Sequence, residues 1–498
     1  MENSPSPVLS DRVSPRTKWT YTLGGIGRDM AYALYANYLL TFILFTKSVT
    51  SEQFAAISTI LIVCRIWDAI NDPVMGGIIE NTRSRFGKFK PWILIGVLSN
   101  AIMLSLIFSL PITGWAFVIA FVFLYLLWDI TFTMNDIAYW AMLPSLTSNP
   151  KDRASLTSLA NLFASIGAIL TIALTPIFTA GNLTIGGSAV TAYAVIAIVI
   201  SIIFIGCQVM TVIGVQEKPQ LKSASQEKVG IKKMLKVLKN NDQLQWVSVA
   251  MLLYNLGSSL IIAFGVTYVY FEFGYNGFLV TIFTGVFAVM TILINILFPA
   301  LAAKFSRKIL QTVSLVLSVV GYLIFFLTGL LWKMNFFSLC VGLAFISLGQ
   351  TLFYMLLTIA IANTVEYNEW KSGSRDEGII FSIRPFMAKM GSSLQQLVLT
   401  IVYLAVGVTE ITKQISDAEN AAAAKAITEA QKLIDIENAI QGVGADMKLA
   451  LRACMVFLPI ALLTAAYFVF KHKFKIDEKV YNKMLHEIKE RNVEESTE

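Results

Sequence analysis

Twelve uninterrupted apolar runs dominate the chain, at roughly 20–46, 54–80, 92–111, 115–145, 155–179, 186–214, 246–271, 278–303, 309–332, 336–364, 379–408 and 449–470. Each is long enough, at about 20 residues or more, to cross some 30 Å of hydrocarbon. In that solvent each backbone polar group must find its partner inside the protein, and a helix satisfies this within its own segment. The expected fold class is therefore an all-α integral membrane protein of twelve transmembrane helices. Composition agrees: 498 residues that are 56% hydrophobic and 14% charged carry more apolar surface than one water-soluble core could bury.

The net charge of +7 would suit a nucleic-acid partner, but its distribution argues otherwise. Residues 80–91 carry Arg83, Arg85, Lys88 and Lys90; residues 215–245 carry seven lysines; and the segment after Phe470 carries seven lysines and arginines, with Lys471, Lys473 and Lys475 directly behind the last apolar run. The opposite connections, LPITGW (110–115) and TAGNLTIGGSAV (179–190), carry no charge. That alternation follows the positive-inside pattern and puts both termini in the cytoplasm, with the bilayer and not nucleic acid as the partner. Residues 1–19 are polar and Ser/Pro-rich, without signal-peptide order, and read as a cytoplasmic tail ahead of a retained first helix. Cys64, Cys207, Cys340 and Cys454 all lie in apolar runs, so neither a disulfide nor a metal site is expected from them.

The basic connection 215–245 separates a six-helix half, 20–214, from a second half, 246–471, followed by a cytoplasmic tail at 472–498. Short basic turns after the second helix (ENTRSRFGKFKPWILIG) and the eighth (AAKFSRKILQTVSL) echo each other, as duplicated transporter halves do. One outer connection is atypical: residues 410–447 are Ala-rich and mixed in charge, with Ile427, Leu433, Ile434 and Ile440 spaced for an amphipathic helix that serves as a cover or spacer. In the tail, Val480, Met484, Leu485 and Ile488 share a face suited to the cytoplasmic surface.

Ionisable groups at bilayer depth are costly and normally mark ion or substrate routes. Here they are Arg28 and Asp29 in the first helix; Arg65, Asp68 and Asp72 in the second; Asp129 and Asp136 in the fourth; Arg384 and Lys389 in the eleventh; and Arg452 in the twelfth. Counted along their helices, Asp29, Asp72, Asp136 and Lys389 each lie roughly 13–15 Å from the inner face, near mid-membrane. Asp68 and Asp72 are four residues apart and share a helix face with Arg65 and Asn71 alongside. Two carboxylates on a dry face repel unless a cation lies between them, and a proton or Na⁺ would serve. Arg65 and Asp129, nearer the outer face, could equally brace helices. In FTMNDIAYWAMLP, Thr133 and Trp140 flank Asp136 on one face, a pairing that suits a sugar: the acid takes hydroxyl groups and the indole covers a C–H face. Lys389 could neutralise the acids when the site is empty, and Gly391, Ser392 and Ser393 permit close helix approach or a bend.

The segments LGGIGRDMAY (23–32), RIWDAINDPVMGG with ENTRSRFGKFKPWILIG (65–96), TMNDIAYWAMLP (133–144) and EYNEWKSGSRDEG…AKMGSS (366–393) resemble the glycoside–pentoside–hexuronide:cation symporter family, the branch of the major facilitator superfamily that includes the melibiose carriers. The resemblance implies a major facilitator fold of two six-helix bundles and alternating access driven by a Na⁺, Li⁺ or H⁺ gradient, with no cofactor. By motif position it assigns Asp68, Asn71, Asp72 and Thr133 to the cation site, and Asp136 to both cation and sugar. It assigns Arg28, Asp29 and Trp140 to the sugar, Lys389 to the space between the sites, and Arg153, Glu366, Glu369 and Arg375 to the inner gate. The chain departs from the melibiose carriers in having Asn161 where they have a sugar-binding arginine, and in adding Asp129 and Arg384, the latter a candidate for greeting an acidic sugar.

The expectation is a monomeric, cation-coupled sugar symporter of the cytoplasmic membrane. The alternative is a sodium-coupled carrier of a lysolipid or another non-sugar solute on the same fold. A membrane enzyme using paired aspartates is disfavoured, because neither the Tyr-Asp nor the Gly-x-Gly-Asp context of intramembrane aspartyl proteases occurs.

Overall fold

The computed structural model describes residues 13–147, 149–215, 231–374 and 376–497. Among these, long helices cover all twelve apolar runs. The first six are α1 (Pro15–Thr46), α2 (Ser51–Asn81), α3 (Lys90–Ser109), α4 (Gly114–Leu146), α5 (Pro150–Thr179) and α6 (Ala189–Gly214). After a short α7 (Ile231–Asn240) come α8 (Asp242–Phe273), α9 (Gly277–Lys304), α10 (Arg307–Leu327), α11 (Phe336–Ser372) and α12 (Glu377–Val406). Two shorter helices, α13 (Val408–Ala423) and α14 (Glu429–Gln441), precede α15 (Ala445–Lys473) and the terminal α16 (Glu478–Thr497).

Helix ends overrun the apolar runs where capping is available. Ser14 accepts a hydrogen bond from the Thr17 amide, so α1 begins within the residues read as a tail. Asn241 caps α8 in the same way, which starts that helix inside the basic connection. Nine of the described helices are long and apolar enough to cross a membrane, and α12 joins them when counted with α13. The other two, α1 and α2, hold Arg28, Asp29, Arg65, Asp68 and Asp72. α2 continues unbroken past Gly76 and Gly77 to Asn81.

Two compact units emerge. The first contains α1–α6 together with Tyr275–Thr281 and Thr409–Ala439. In it α1 packs on α5 and α6, α3 on α4 and α6, and α2 on α4. Gly27 makes the first of these contacts possible: a Cβ there would meet the Phe204 Cα at 2.6 Å. Tyr21 and Tyr139 stack at 4.6 Å and each hydroxyl donates to the other's backbone carbonyl, pinning α1 to α4.

The atypical connection forms α13 and α14, and most of it belongs to this first unit. Its buried face differs from the expected one, because Ile434 is exposed while Ile436, Ala439 and Lys432 are buried. Lys432 Nζ donates to the Gly187 carbonyl at 2.8 Å and lies 3.7 Å from Glu419 Oε2, with both side chains fully enclosed. Glu419 in turn accepts from the Ala189 amide at 2.7 Å, and Asn420 donates to the Thr46 carbonyl. These partners tie both helices to the ends of α1 and α6.

The second unit contains α7, α8, most of α9, α10–α12, α15 and α16. There α8 packs on α15, α12 and α11, and α10 packs on α11 and α15. Along α9, Val289, Ile292, Leu293, Ile296 and Leu297 are exposed, a stripe suited to lipid. α16 packs on α11 with Met484 and Ile488 buried, while Val480 stays exposed.

Candidate functional site

One face of α4 organises the charges of the first unit. Asp129, Thr133, Asp136 and Trp140 recur along it at helical spacing, so a single rigid element addresses α1 through one pair and α2 through the other. Toward α1, Arg28 Nη1 lies 3.2 Å from Asp136 Oδ1, as an ion pair without hydrogen-bond alignment. The same guanidinium donates through Nε to Asp29 Oδ2 at 2.9 Å. Two aromatic rings lie beside it as well: Cζ is 4.7 Å from the Tyr139 ring centroid and 4.8 Å from that of Trp140. Arg28 is only 3% exposed, whereas the side chains of Asp29 and Asp136 are 25% and 37% accessible. The arginine is thus the buried scaffold, and the two carboxylates and the indole present the accessible surface.

Toward α2, the Thr133 hydroxyl lies 3.4 Å from Asp72 Oδ1. Arg65 Nη1 is 4.0 Å from Asp68 Oδ2, and Asp129, 7% exposed, has a carboxyl oxygen without a hydrogen-bond partner. Asn71, 7% exposed, has a side-chain nitrogen without a partner. The Asp72 carboxyl and Thr133 hydroxyl, with Asp68 and Asn71 on the same helix as Asp72, are hard oxygen donors of the kind that suit a proton or an alkali cation.

One expected gathering is not seen. Among the described residues no three acidic, histidine or cysteine side chains come close enough to share a metal ion, so Asp136 does not join Asp68 and Asp72 here. The Arg28 guanidinium holds Asp136 on the α1 side.

In the second unit, the exposed Arg384 donates through Nε and Nη2 to the Tyr354 hydroxyl at 3.0 and 2.8 Å. Tyr354 stacks on Tyr254 at 5.6 Å, which fixes the pair to α8. Lys389 is half-buried; Ser392 and Ser393 both donate to its carbonyl, at 2.8 and 3.1 Å. The close approach expected at Gly391 is present, since a Cβ there would meet the Asn255 Cβ at 2.7 Å.

The other expected residues lie apart from these clusters. Asn161 is exposed on α5, and Arg153 is exposed with Nη2 donating to the Thr147 carbonyl at 3.1 Å. Glu366 and Glu369 are half-buried on α11, and Arg375 lies outside the described residues. Near them, Asp242 accepts from the Tyr367 hydroxyl at 2.9 Å and Lys371 Nζ at 2.6 Å. Sequence reasoning missed that trio as well as Tyr139 and Tyr354. Tyr367 and Lys371 stand in the segment already singled out, but no spacing rule links them to Asp242, more than a hundred residues earlier.

The arrangement of long helices in two units, with charges buried on helices suited to lipid, defines a multi-span membrane protein of the major facilitator type. The chain belongs to the family described as MFS/sugar transport protein, which matches residues 20–469. It is 28% identical to the lactose permease of Lactobacillus helveticus, over 94% of this chain and 71% of that protein. It is 27% identical to the isoprimeverose transporter of Lactiplantibacillus pentosus, over 84% and 86% of the respective chains. With the lactose permease of Leuconostoc lactis, also 28% identical, it spans 62% of the relative's length. The fold is shared with a bacterial homologue of the lysosomal transporter Spinster (TM-score 0.62, 13% identity, 92% and 97% of the chains) and with the nucleoside transporter NupG (TM-score 0.57, 15% identity, 92% and 100%).

Proposed function

We propose that this chain carries a sugar across the cytoplasmic membrane by cation-coupled symport with alternating access, working as a monomer with both termini in the cytoplasm. The observation that carries the reading is the shared face of α4: Asp136 and Trp140 stand with Arg28 and Asp29, while Thr133, one turn away, stands with Asp72. A sugar hydroxyl pair on Asp136 and a cation at Asp72 then bear on the same helix. Each ligand favours the helix position that suits the other, and the coupling is reciprocal.

Roles divide accordingly. Asp29, Asp136 and Trp140 receive the sugar and Arg28 orients the two acids. Asp68, Asn71, Asp72 and Thr133 hold Na⁺ or H⁺, and Lys389 competes for the acids when the cation is absent. Arg153, Glu366, Glu369 and Arg375 serve the cytoplasmic gate. Relatives named for lactose and isoprimeverose support a glycoside as the cargo class. The deciding experiment is uptake by energised vesicles of a panel of galactosides, xylosides and glucuronides, with and without Na⁺ and across an imposed pH gradient. Accumulation of a panel sugar that collapses with the ion gradient is the expected result; uptake of none, with sodium-driven uptake of a lysolipid instead, would overturn the reading.

A further inference from the structure

A cavity of about 660 Å³ opens in the second unit where α10 begins, α15 ends and the chain turns into α16. Its lining includes Arg307, Lys308, Lys471 and Lys479, and among the described residues its one carboxylate is that of Asp477. That acid is already engaged. It accepts from the Val480 amide at 3.0 Å, capping α16, and lies 3.9 Å from Lys308 Nζ; both contacts hold its carboxyl below the usual range. Arg307 closes one wall by donating to the Ile476 carbonyl at 2.9 Å. The Thr312 and Tyr467 hydroxyls meet at 3.2 Å and Thr312 donates to the Lys308 carbonyl, so these hydroxyls are spent on each other and on the backbone. Among the described lining residues cations outnumber acids, a chemistry matched to a phosphate oxyanion.

The apolar surroundings indicate how the phosphate is carried. From the cavity down α10, Ile309, Val313 and Val316 are exposed in sequence, and Phe468 is exposed on α15. On a membrane-embedded helix these positions face acyl chains, and basic pockets between spanning helices at the cytoplasmic boundary suit anionic lipid head groups.

We propose that this cavity holds the phosphate of an anionic phospholipid of the inner leaflet, whose acyl chains lie along the exposed faces of α10 and α15. Lys308 and Lys471 supply the charge, and Arg307 shapes the wall. The proposal is independent of which sugar or cation is carried.

The test is native mass spectrometry of the purified full chain exchanged into phosphatidylglycerol or phosphatidylcholine, with parallel arms containing inorganic phosphate or glycerol phosphate. Wild type should retain phosphatidylglycerol over phosphatidylcholine, and Lys308→Gln/Lys471→Gln should reduce that retention roughly tenfold. Lys308→Arg/Lys471→Arg should retain it, as should Lys236→Gln/Lys239→Gln, which removes the same charge elsewhere. Equal retention by wild type and the pocket variant, or equal loss in the Lys236/Lys239 control, would overturn the proposal. Displacement of the lipid by millimolar inorganic phosphate would also overturn it, by identifying a soluble anion as the ligand. Circular dichroism of each variant separates lost binding from lost fold.

Discussion

Arg28 and Asp136 form an ion pair of 3.2 Å in which the arginine is buried and the aspartate is reachable. The guanidinium is also shared with Asp29 and lies within cation–π distance of the Tyr139 and Trp140 rings. Arg28→Gln leaves two partly solvated carboxylates facing each other without the cation that orients them. Sugar binding to the purified protein should fall at least a hundredfold. Arg28→Lys should fail to restore it, because an ammonium replaces neither the fork nor the flat faces. Calorimetric titration with the sugar found in the vesicle panel checks both.

Asp72 and Asp129 should separate by phenotype. Asp72→Cys is expected to abolish ion-stimulated uptake while sugar exchange without a gradient persists. Asp129→Asn leaves Asp72 and Thr133 in place and removes only a buried carboxyl one turn along α4. It should retain most of the ion stimulation that Asp72→Cys loses. Full sodium stimulation in Asp72→Cys would remove the cation assignment.

Arg384, pinned to the Tyr354 hydroxyl, offers a fixed positive charge on an exposed side chain. If an acidic sugar is cargo, Arg384→Ala should lower glucuronide uptake at least tenfold and leave neutral glycosides within about twofold. Competition assays with paired neutral and acidic sugars give the ratio directly, and an unchanged ratio assigns Arg384 to helix packing.

Lys47, just beyond α1, is enclosed between the Phe42 and Phe117 rings and donates to the Leu110 carbonyl at 2.6 Å. Burial lowers its pKa from 10.5 to about 8. Between those two values the unfolded chain keeps a proton that the folded chain has released, so stability rises with pH across the window and this group adds no slope below it. Thermal melts in detergent should show that rise from pH 8 to pH 10, and Lys47→Met should flatten it.

Helix existence was legible because a bilayer demands long apolar segments, and each of the twelve runs became a helix. Their ends were less so, since Ser14 and Asn241 are caps lying beyond the apolar pattern. At the site, Asp68, Asp72, Asp136 and Trp140 stood out through charge in a lipid solvent and spacing along one helix. Arg28 looked like one sugar ligand among several, and its central position became visible only once Gly27 had drawn α1 against α6. The Asp242–Tyr367–Lys371 contacts join helices far apart in sequence and the Arg384–Tyr354 contact joins two consecutive helices, and periodicity within one helix carries no information about either. The buried Lys432 was hidden for a related reason: a lysine on an amphipathic helix reads as its wet side until the opposing carboxylate is known.

Glu419 and Lys432 meet backbone partners at Ala189 and Gly187 that were synthesised 230 and 245 residues earlier. The N-terminal end of α6 therefore leaves the ribosome with its amide and the preceding carbonyl still waiting, and the first unit closes there only after most of the second has been made. Maturation of this protein has a late step that truncation at residue 408 would withhold, and pulse-labelled chains should gain protease resistance at the 179–190 connection only once α13 and α14 have emerged.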